Sequence, residues 1–401
     1  MSRFLSVIPL DKARRIIRQI AQLLPDETVP LAEAYGRILA TEITSDMDIP
    51  GFDRSTVDGY AVRASETTGA GEALPSILGF QGEVQMGGIP DEPVRPGSAV
   101  YIPTGAFLPS GADAVVMIEY SELMGDQVLI HRPVAPGENV ISRGEDFSAG
   151  RQAVPSGTLI TARAAGVLAA CGAWQVRVRR KPRVSIISTG NELVPVDTRP
   201  EGGQIRDVNT YLCAGFVRQM GGEPIISGII PDERDALSQA LTTAVAASDV
   251  VLISGGSSKG ERDMCADIIA AQGEVIVHGV AVSPGKPTII GRADGRVVVG
   301  LPGHPASAFI ILITLVRDLL QAITGDTTPF PSIRLPLSEP VASARGREEY
   351  VRVRIQGGQA VPVHGRSGLT NTLIQSDGVL RIPAETEGYE AGDVGEVLVW
   401  R

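Results

Sequence analysis

Residues 181–193 read KPRVSIISTGNEL, and residues 249–260 read DVVLISGGSSKG. Each stretch contains an apolar run, at residues 184–188 and 250–254, that is long enough for one strand. Each run then changes to glycine and small polar residues. Strands that are apolar on both faces are typical of a parallel sheet covered by helices. The two stretches therefore predict an α/β domain.

The same alternation extends through residues 181–326. The predicted strands are residues 184–188, 224–230, 250–254, 275–277 and 297–300, and the predicted helices are residues 209–220, 235–247, 263–271 and 305–323. Ligands of such sheets bind beyond the carboxyl ends of the strands. The polar residues that directly follow the strands are therefore the candidates for a functional site.

Three carboxylates follow predicted strands of this domain. Glu192, Asp232 and Asp263 come after the first, second and third strands. Because Mg²⁺ prefers a few carboxylates together with substrate phosphates, the three side chains predict a magnesium site. Taken singly, each of them is equally well explained as a helix cap or a residue of a solvated turn.

A glycine loop and a lysine turn predict binding of an anion. Consecutive N–H groups at Ser254, Gly255 and Gly256 are suited to phosphate oxygens, and Lys259 adds positive charge. The loop has neither the P-loop spacing nor GxGxxG, so a purely structural turn is the alternative. In the turn 283–287, Lys286 is either an anion ligand or a surface lysine.

The rest of the chain differs in texture from the α/β domain. Residues 46–146 predict an inserted all-β domain, residues 1–45 and 147–180 a mixed helical and β domain, and residues 327–401 a C-terminal β barrel. The fold class is therefore multidomain, α/β plus β. A chain of 401 residues is long enough for several cores.

Composition excludes some classes of function. The net charge of −10 argues against non-specific nucleic-acid binding, and an aromatic content of 4% argues against a stacking platform for single strands. The longest apolar run, residues 306–316, is about half of a membrane span, so it predicts a buried helix and no membrane insertion. The three cysteines lie far apart, which predicts reduced thiols in a cytoplasmic protein.

Taken together, the motifs form an ordered series. They are residues 55–61 (STVDGYA), 103–106 (PTGA), 108–113 (LPSGAD), 143–146 (RGED), 188–193 (STGNEL), 228–232 (GIIPD), 254–256 (SGG) through Asp263, 284–287 (PGKP) and 300–308 (GLPGHPASA). In this order, and over nearly the whole chain, the series resembles the molybdopterin molybdenumtransferase family, which includes bacterial MoeA and the gephyrin E domain.

The resemblance implies an activity and an assembly. The reaction is insertion of molybdate into adenylylated molybdopterin, assisted by Mg²⁺ and accompanied by release of AMP. The active cleft lies in a homodimer, where the β domain of one subunit faces the α/β and C-terminal domains of the other. The substrate donor is a molybdopterin adenylyltransferase.

The resemblance also implies roles for particular residues. Those assigned to catalysis are Asp58, Thr104, Asp146, Glu192, Asp232 and Lys286. Those assigned to binding of the substrates are Ser254, Gly255, Gly256, Lys259, Gly285, Lys286, Ser307, Arg352 and Ser367, of which Lys286, Ser307, Arg352 and Ser367 match the molybdate pocket. The metal ligands are Glu192, Asp232 and Asp263.

This sequence departs from the family pattern at two positions that bear on the site. Ser283 stands where many members have a basic residue, and His304 stands where the family has asparagine. One account is that Lys259, Arg262 or Arg366 supplies the charge that is lost at residue 283, and the other is that the anion affinity, or the choice between molybdate and tungstate, has changed. His304 is either a neutral replacement in a tight turn or a titrating group that touches the ligand.

Two other functions fit parts of the sequence. The departures at residues 283 and 304 suggest a pterin-binding or scaffold paralogue without turnover, although such a protein does not need the acidic residues and Lys286. A nucleotidyltransferase that makes the adenylate itself fits the α/β domain but not the two flanking β domains.

Overall fold

The computed structural model describes residues 6–255 and 259–400, except for the side chains of residues 259–263. A six-stranded sheet forms the centre of the α/β unit. Its strands, in spatial order, are Glu223–Ile230, Arg183–Thr189, Val250–Ser254, Arg296–Leu301, Ile289–Ala293 and Gly273–His278. The first four strands are parallel, so their carboxyl ends meet at one edge.

The prediction of a purely parallel sheet is wrong at one side. Ile289–Ala293 pairs antiparallel with both Arg296–Leu301 and Gly273–His278. The cause is a two-residue turn at Asp294 and Gly295, whose φ angles are 46° and 75°. An Asp-Gly pair between two apolar runs is a strong signal for a hairpin, and it identifies the strand that the sequence analysis missed.

Helices cover both faces of the sheet. The helices on one face are Leu10–Ile20, Asn209–Gln219 and the helical run from Pro305 to Thr324, and those on the other face are Arg234–Ala247 and Lys259–Gln272. Helix Leu10–Ile20 is far from the others in sequence. Its residues Leu10, Ala13 and Ile17 nevertheless belong to the same buried cluster as the sheet. Residues 8–24 therefore pack on the α/β unit, whereas the sequence grouped them with residues 147–180.

The most apolar helix of the chain is a core element. It comprises Pro305–Ile311, a π-helical segment Leu312–Val316 and Arg317–Thr324. By length and composition it could span a membrane, but 78% of its apolar window is buried inside the protein. The predicted buried helix is confirmed, and no other helix of the described residues passes the same length and composition test.

Two smaller units precede the α/β unit. The mixed unit contains the helix Ala162–Ala170 and two antiparallel ladders, Asp26–Pro30 with Gln175–Arg179 and Ile43–Thr44 with Gln152–Val154. The inserted unit contains a six-stranded sheet, with the strands Ala114–Met117, Gly59–Val62, Ser98–Ile102, Ser76–Glu83, Gln127–Ile130 and Ser121–Met124 in spatial order. A short ladder, Arg54–Ser55 with Val140–Ile141, lies beside it.

The C-terminal unit shares its sheet with earlier parts of the chain. The strands in spatial order are Ile8–Pro9, Val280–Ser283, Glu348–Gln356, Gly378–Ile382, Val394–Val399 and Ser332–Pro336, and Gln359–Pro362 also pairs with Glu348–Gln356. A ladder of Val341–Ala342 with Gly388–Tyr389 and the short helix Asn371–Ile374 complete the unit. Strand pairing runs along an open path from Ile8–Pro9 to Ser332–Pro336, so a closed barrel is not confirmed.

Glycine is required at the end of strand Val250–Ser254. Gly255 has a φ of 144°, and a Cβ at this residue would lie 2.1 Å from the carbonyl oxygen of Thr189. Gly255→Ala should therefore lower the free energy of unfolding by about 1–3 kcal/mol from backbone strain, and further through the clash.

Gly215→Ala is the matched control, measured in the same urea titration by circular dichroism. Gly215 lies on helix Asn209–Gln219 with no atom within 4 Å of the added Cβ. Gly215→Ala should raise the free energy of unfolding by about 0.5–1 kcal/mol, because alanine is the better helix former. Equal stability of the two variants would contradict the close approach at Gly255.

Candidate active site

A cavity of about 210 Å³ lies at the carboxyl ends of three of the four parallel strands. Glu192, Ser254 and Gly255, all assigned from the sequence, line this cavity together with Asp207 and His304. Glu192 folds back over the strand end, because its Oε2 lies 2.7 Å from where a Cβ of Gly190 would be. Beyond the carboxyl ends of the strands, where the sequence predicts the site, the structure therefore has a cavity whose lining includes carboxylate and hydroxyl side chains.

Two hydrogen-bonded residues of this cavity, Asp207 and Asn209, were missed by the sequence analysis. Asp207 Oδ1 accepts hydrogen bonds from Ser188 Oγ (3.1 Å) and from the backbone N–H of Thr210 (3.1 Å). Asn209 Nδ2 donates to Ser254 Oγ (2.7 Å) and to the carbonyl of Gly303 (2.8 Å). The available signal was the three polar residues Asp207, Asn209 and Thr210 at the start of a predicted helix that follows a sheet strand.

The orientation of the Asn209 amide follows from its partners. A backbone carbonyl can only accept, so the nitrogen of the amide must face Gly303. Asn209 Oδ1 is buried and makes no hydrogen bond within the described structure. Asn209 thus ties the loop after Val250–Ser254 to the loop after Arg296–Leu301, and it holds Ser254 at the cavity wall.

Asp232 lies apart from the cavity lining. Its carboxylate accepts hydrogen bonds from Thr189 Oγ1 (2.6 Å) and from the backbone N–H of Asn191 (3.1 Å). These bonds join the ends of two neighbouring strands, which is a positioning role for residues 189–192. The assignment of Asp232 to catalysis and to the metal stays a prediction.

The predicted metal set cannot be assembled from the described side chains. Within residues 6–255 and 264–400, no three acidic, histidine or cysteine side chains form a cluster that could hold a metal ion. Gly256 and the side chains of Lys259, Arg262 and Asp263 lie outside the described residues. The described carboxylates that line the cavity are Glu192 and Asp207.

Arg352 is a buried cation without a counter-charge. Arg352 is 8% exposed, and its Nη2 donates a hydrogen bond to the carbonyl of Gly365 (2.6 Å). Nε has no partner, and no ion pair within the described part of the chain involves this guanidinium. Burial accordingly lowers the pKa of Arg352. A buried charge is normally paired, so the environment is suited to an anionic ligand.

The loop that Arg352 contacts also reaches the α/β unit. Ser367 Oγ is 2.8 Å from His304 Nδ1, and the carbonyl of Ser367 accepts from the backbone N–H of Ala306 (3.2 Å). Ser307 is buried one residue further along the same helix. The structure therefore brings Arg352, Ser367 and the start of the helix at Pro305 close to the rim of the strand-end cavity.

The turn at residues 284–287 packs against the same helix. Gly285 has a φ of 133°, and a Cβ there would lie 2.7 Å from Ile311 Cδ1. Lys286 is exposed, and its ammonium makes no bond to a described residue. Ser283 Oγ donates to Glu349 Oε1 at 3.3 Å, so the position where relatives have a base faces a carboxylate. Whether Lys259, Arg262 or Arg366 replaces that charge stays a prediction.

The site residues of the inserted unit form a separate group. Asp58 Oδ1 accepts from both the backbone N–H (2.7 Å) and the hydroxyl (2.9 Å) of Thr104. The backbone bond, then the hydroxyl bond, lowers the pKa of Asp58. Asp146 is exposed in another turn of the chain. Among the described residues, no hydrogen bond or ion pair connects these three side chains to the cavity of the α/β unit.

Three family models match successive parts of the chain. Residues 8–172 match the model for the MoeA N-terminal region (domain I and II). Residues 185–322 match the model described as "Probable molybdopterin binding domain", and residues 334–400 match the MoeA C-terminal region (domain IV). The match therefore extends over every unit of the structure.

Known proteins are similar over most of the chain. A molybdopterin molybdenumtransferase of Nostoc sp. is 37% identical over 79% of this chain and 75% of its own. A molybdopterin molybdenumtransferase of Staphylococcus aureus is 31% identical over 98% of this chain and 95% of its own. The crystal structure of the molybdopterin biosynthesis MoeA protein of Pyrococcus horikoshii is 32% identical, covers 98% of this chain and all of that one, and superposes with a TM-score of 0.86.

The hydrogen bonds at Asp58 lead to a measurable pKa change. Thr104→Val removes the hydroxyl donor but keeps the backbone N–H, so the pKa of Asp58 should rise while staying below its ordinary value. In the parent protein, ionised Asp58 favours the folded state above the pKa of the unfolded chain. This contribution is lost as the pH falls through the lower pKa of the folded state.

The measurement is a pH titration of the Asp58 carboxyl carbon by NMR. Thr68→Val, an exposed threonine of the same unit, serves as the control and should leave the Asp58 titration unchanged. An Asp58 titration that is the same in Thr104→Val and in the parent protein would contradict the role of the hydroxyl.

Proposed function

Because the chain belongs to the MoeA family of molybdopterin molybdenumtransferases, we propose that this transferase inserts molybdate into adenylylated molybdopterin and releases AMP. The observation that carries the proposal is the buried guanidinium of Arg352, which has no counter-charge in the described structure. Molybdate is a dianion with four oxygens, and a buried cation together with the hydroxyl of Ser367, on the loop that Arg352 contacts, is a donor set suited to an oxyanion.

The strand-end cavity is proposed to take the pterin and phosphate part of the other substrate. Its walls offer the Ser254 hydroxyl, the backbone of Gly255 and the carboxylates of Glu192 and Asp207. Hydrolysis or transfer at a phosphate relies on positioning and on charge stabilisation more than on a protein nucleophile. The hydrogen bonds of Asn209 and Asp207 preorganise these groups and so reduce the cost of ordering them when substrate binds.

Mg²⁺ is proposed as the metal because the donors of the cavity are hard oxygen ligands. Glu192 and Asp207 would hold it together with substrate oxygens, which matches the preference of Mg²⁺ for few protein carboxylates. When bound, the ion neutralises charge that develops on the phosphate oxygens. The residues of the chain orient the substrate, and they limit the access of water to the cavity.

The active cleft is proposed to form in a homodimer. Support comes from the separation of the two groups of site residues, because Asp58 and Thr104 have no bond to the cavity of their own chain within the described part. In a homodimer in which Asp58 and Thr104 face the cavity of the second copy, they would lie beside the partner's Glu192. We further propose a cytoplasmic location and a molybdopterin adenylyltransferase as the substrate donor.

The direct test incubates the protein with adenylylated molybdopterin, Mg²⁺ and molybdate, and measures AMP and the molybdenum cofactor. Formation of both products supports the transferase. Pterin binding without release of AMP, while a known relative turns over in the same assay, would instead indicate a non-catalytic binding protein. Replacing molybdate by tungstate in the same assay determines which oxyanion is preferred.

Arg352→Met should separate anion binding from stability. The substitution removes the charge and keeps an apolar side chain of similar length, so the KM for molybdate should rise about tenfold or more. The free energy of unfolding should change by less than about 1 kcal/mol, because removal of an unpaired buried charge offsets the lost hydrogen bond to Gly365.

Arg354→Met is the matched control for this variant. Arg354 lies two residues further on the same strand, is exposed, and should leave the KM for molybdate unchanged. Molybdate kinetics and urea unfolding are measured for both variants. An unchanged KM with a large loss of stability in Arg352→Met would mean that Arg352 has only a structural role.

Complementation between subunits tests the proposed cleft. Asp58→Ala and Glu192→Ala should each abolish turnover with little effect on folding, since both side chains are exposed. A purified heterodimer with one substitution on each subunit retains one intact cleft. It should recover about half of the parent activity, because a twofold dimer contains two equivalent sites.

The control heterodimer carries both substitutions on one subunit and none on the other. Each shared cleft then lacks one residue, so this heterodimer should be inactive. Activity in the control and none in the first heterodimer would show that each site lies within a single chain.

A further inference from the structure

His304 contacts both halves of the site. Its side chain lines the strand-end cavity, and its Nδ1 is 2.8 Å from Ser367 Oγ in the C-terminal unit. The carbonyl of Ser367 is held separately by the backbone N–H of Ala306, and Arg352 Nη2 holds the carbonyl of Gly365. The backbone of the loop 365–368 is therefore anchored from two sides, and His304 contacts the Ser367 hydroxyl itself.

The direction of the His304–Ser367 hydrogen bond decides what Ser367 can do. A serine hydroxyl has one hydrogen and two lone pairs, while a neutral imidazole has one donor and one acceptor nitrogen. If Nδ1 accepts, the Ser367 hydroxyl donates its only hydrogen to the histidine, and its oxygen presents only lone pairs to an anion. If Nδ1–H donates, the hydroxyl hydrogen of Ser367 remains available for an anion.

We propose that His304 is a positioning residue that donates its Nδ1–H to Ser367 Oγ and thereby directs the Ser367 hydroxyl hydrogen to the oxyanion substrate. The proposal rests on the proposed function, because it takes Ser367 and Arg352 as the molybdate ligands. It also explains the departure at residue 304, since an asparagine side chain can donate to the same hydroxyl through its amide nitrogen.

The surroundings favour the donor role of His304. Arg352 is a cation without a counter-charge in the described structure, so a lone pair of Ser367 presented to an anion beside it would oppose binding. Charged groups that line the cavity with His304 are Glu192, Arg206 and Asp207, and Arg366 lies next to Ser367. None of these is within hydrogen-bond distance of His304 in the described structure.

The kinetic test compares His304→Asn, which keeps a donor, with His304→Leu, which removes it. His304→Leu should raise the KM for molybdate about tenfold and leave kcat within about twofold. Without the donor at residue 304, the Ser367 hydroxyl is no longer directed to the anion, and its hydrogen bond to this charged ligand is lost. His304→Asn should stay within about threefold of the parent KM. His131→Leu, in the inserted unit, is the control and should match the parent protein.

The spectroscopic test identifies the proton directly. The chain contains four histidines, so ¹⁵N-histidine labelling gives few signals, and His304→Asn identifies the one that belongs to residue 304. Sodium molybdate alone is added to the parent protein. The Nδ1 signal of His304 should be of the protonated type in the complex, and in Ser367→Ala it should no longer respond to molybdate.

The two outcomes that overturn the proposal are distinct from failure of the proposed function. An Nδ1 signal of the unprotonated type in the molybdate complex would show that His304 accepts. If the KM of His304→Leu for molybdate equals that of the parent protein, the hydrogen bond between His304 and Ser367 is only structural. If the parent protein forms no cofactor but binds molybdate with the expected histidine signal, the transferase proposal fails and the positioning role stands.

Discussion

Backbone pairing of the strand Val280–Ser283 holds the α/β unit and the C-terminal unit in one arrangement. The strand pairs with Ile8–Pro9 on one side and with Glu348–Gln356 on the other. It leads directly into the turn 284–287, where Gly285 packs on Ile311 of the long buried helix. Because a strand hydrogen-bonded on both sides cannot shift without breaking its ladder, the loop 365–368 stays beside the start of that helix. The proposed anion site depends on this arrangement.

Two arginines of the C-terminal sheet, the half-buried Arg381 and the buried Arg352, show how environment separates a structural cation from one that is suited to a ligand. Arg381 Nε donates to Glu348 Oε2 at 2.8 Å, and Glu348 also accepts from the hydroxyl of Tyr350, so the charge is compensated inside the protein. The carboxylate raises the pKa of Arg381. Burial lowers the pKa of Arg352, which has no acidic neighbour within bonding distance in the described part. The first arrangement is complete without a ligand, whereas the second would gain its counter-charge from the anion that we propose as its ligand.

Among the described residues, no hydrogen bond or ion pair joins the site residues of the inserted unit to those of the strand-end cavity. Asp58 and Thr104 sit on the inserted sheet, while Glu192, Asp207 and His304 surround the strand-end cavity. In the described structure Thr104 uses only one oxygen of Asp58, so the other oxygen of this exposed carboxylate remains available. Such a divided site is functional only if a second chain supplies the missing half, which is the physical argument for the proposed dimer.

Strand periodicity and the polar residues after each strand were enough to predict the α/β unit, its buried helix and the position of Glu192, Ser254 and Gly255, because these depend on local patterns. The antiparallel strand Ile289–Ala293 was also encoded locally, in the Asp294-Gly295 turn, although it was missed. Only the tertiary structure placed helix Leu10–Ile20 on the α/β core, brought Asn209 to Ser254 and Gly303, and joined His304 to Ser367. These contacts join residues 45 to about 300 positions apart, and side-chain hydrogen bonding over such separations leaves no periodic pattern in a single sequence. That no described residue supplies a counter-charge to Arg352 is likewise a property of the folded environment, because it depends on which side chains the folded chain places around the guanidinium.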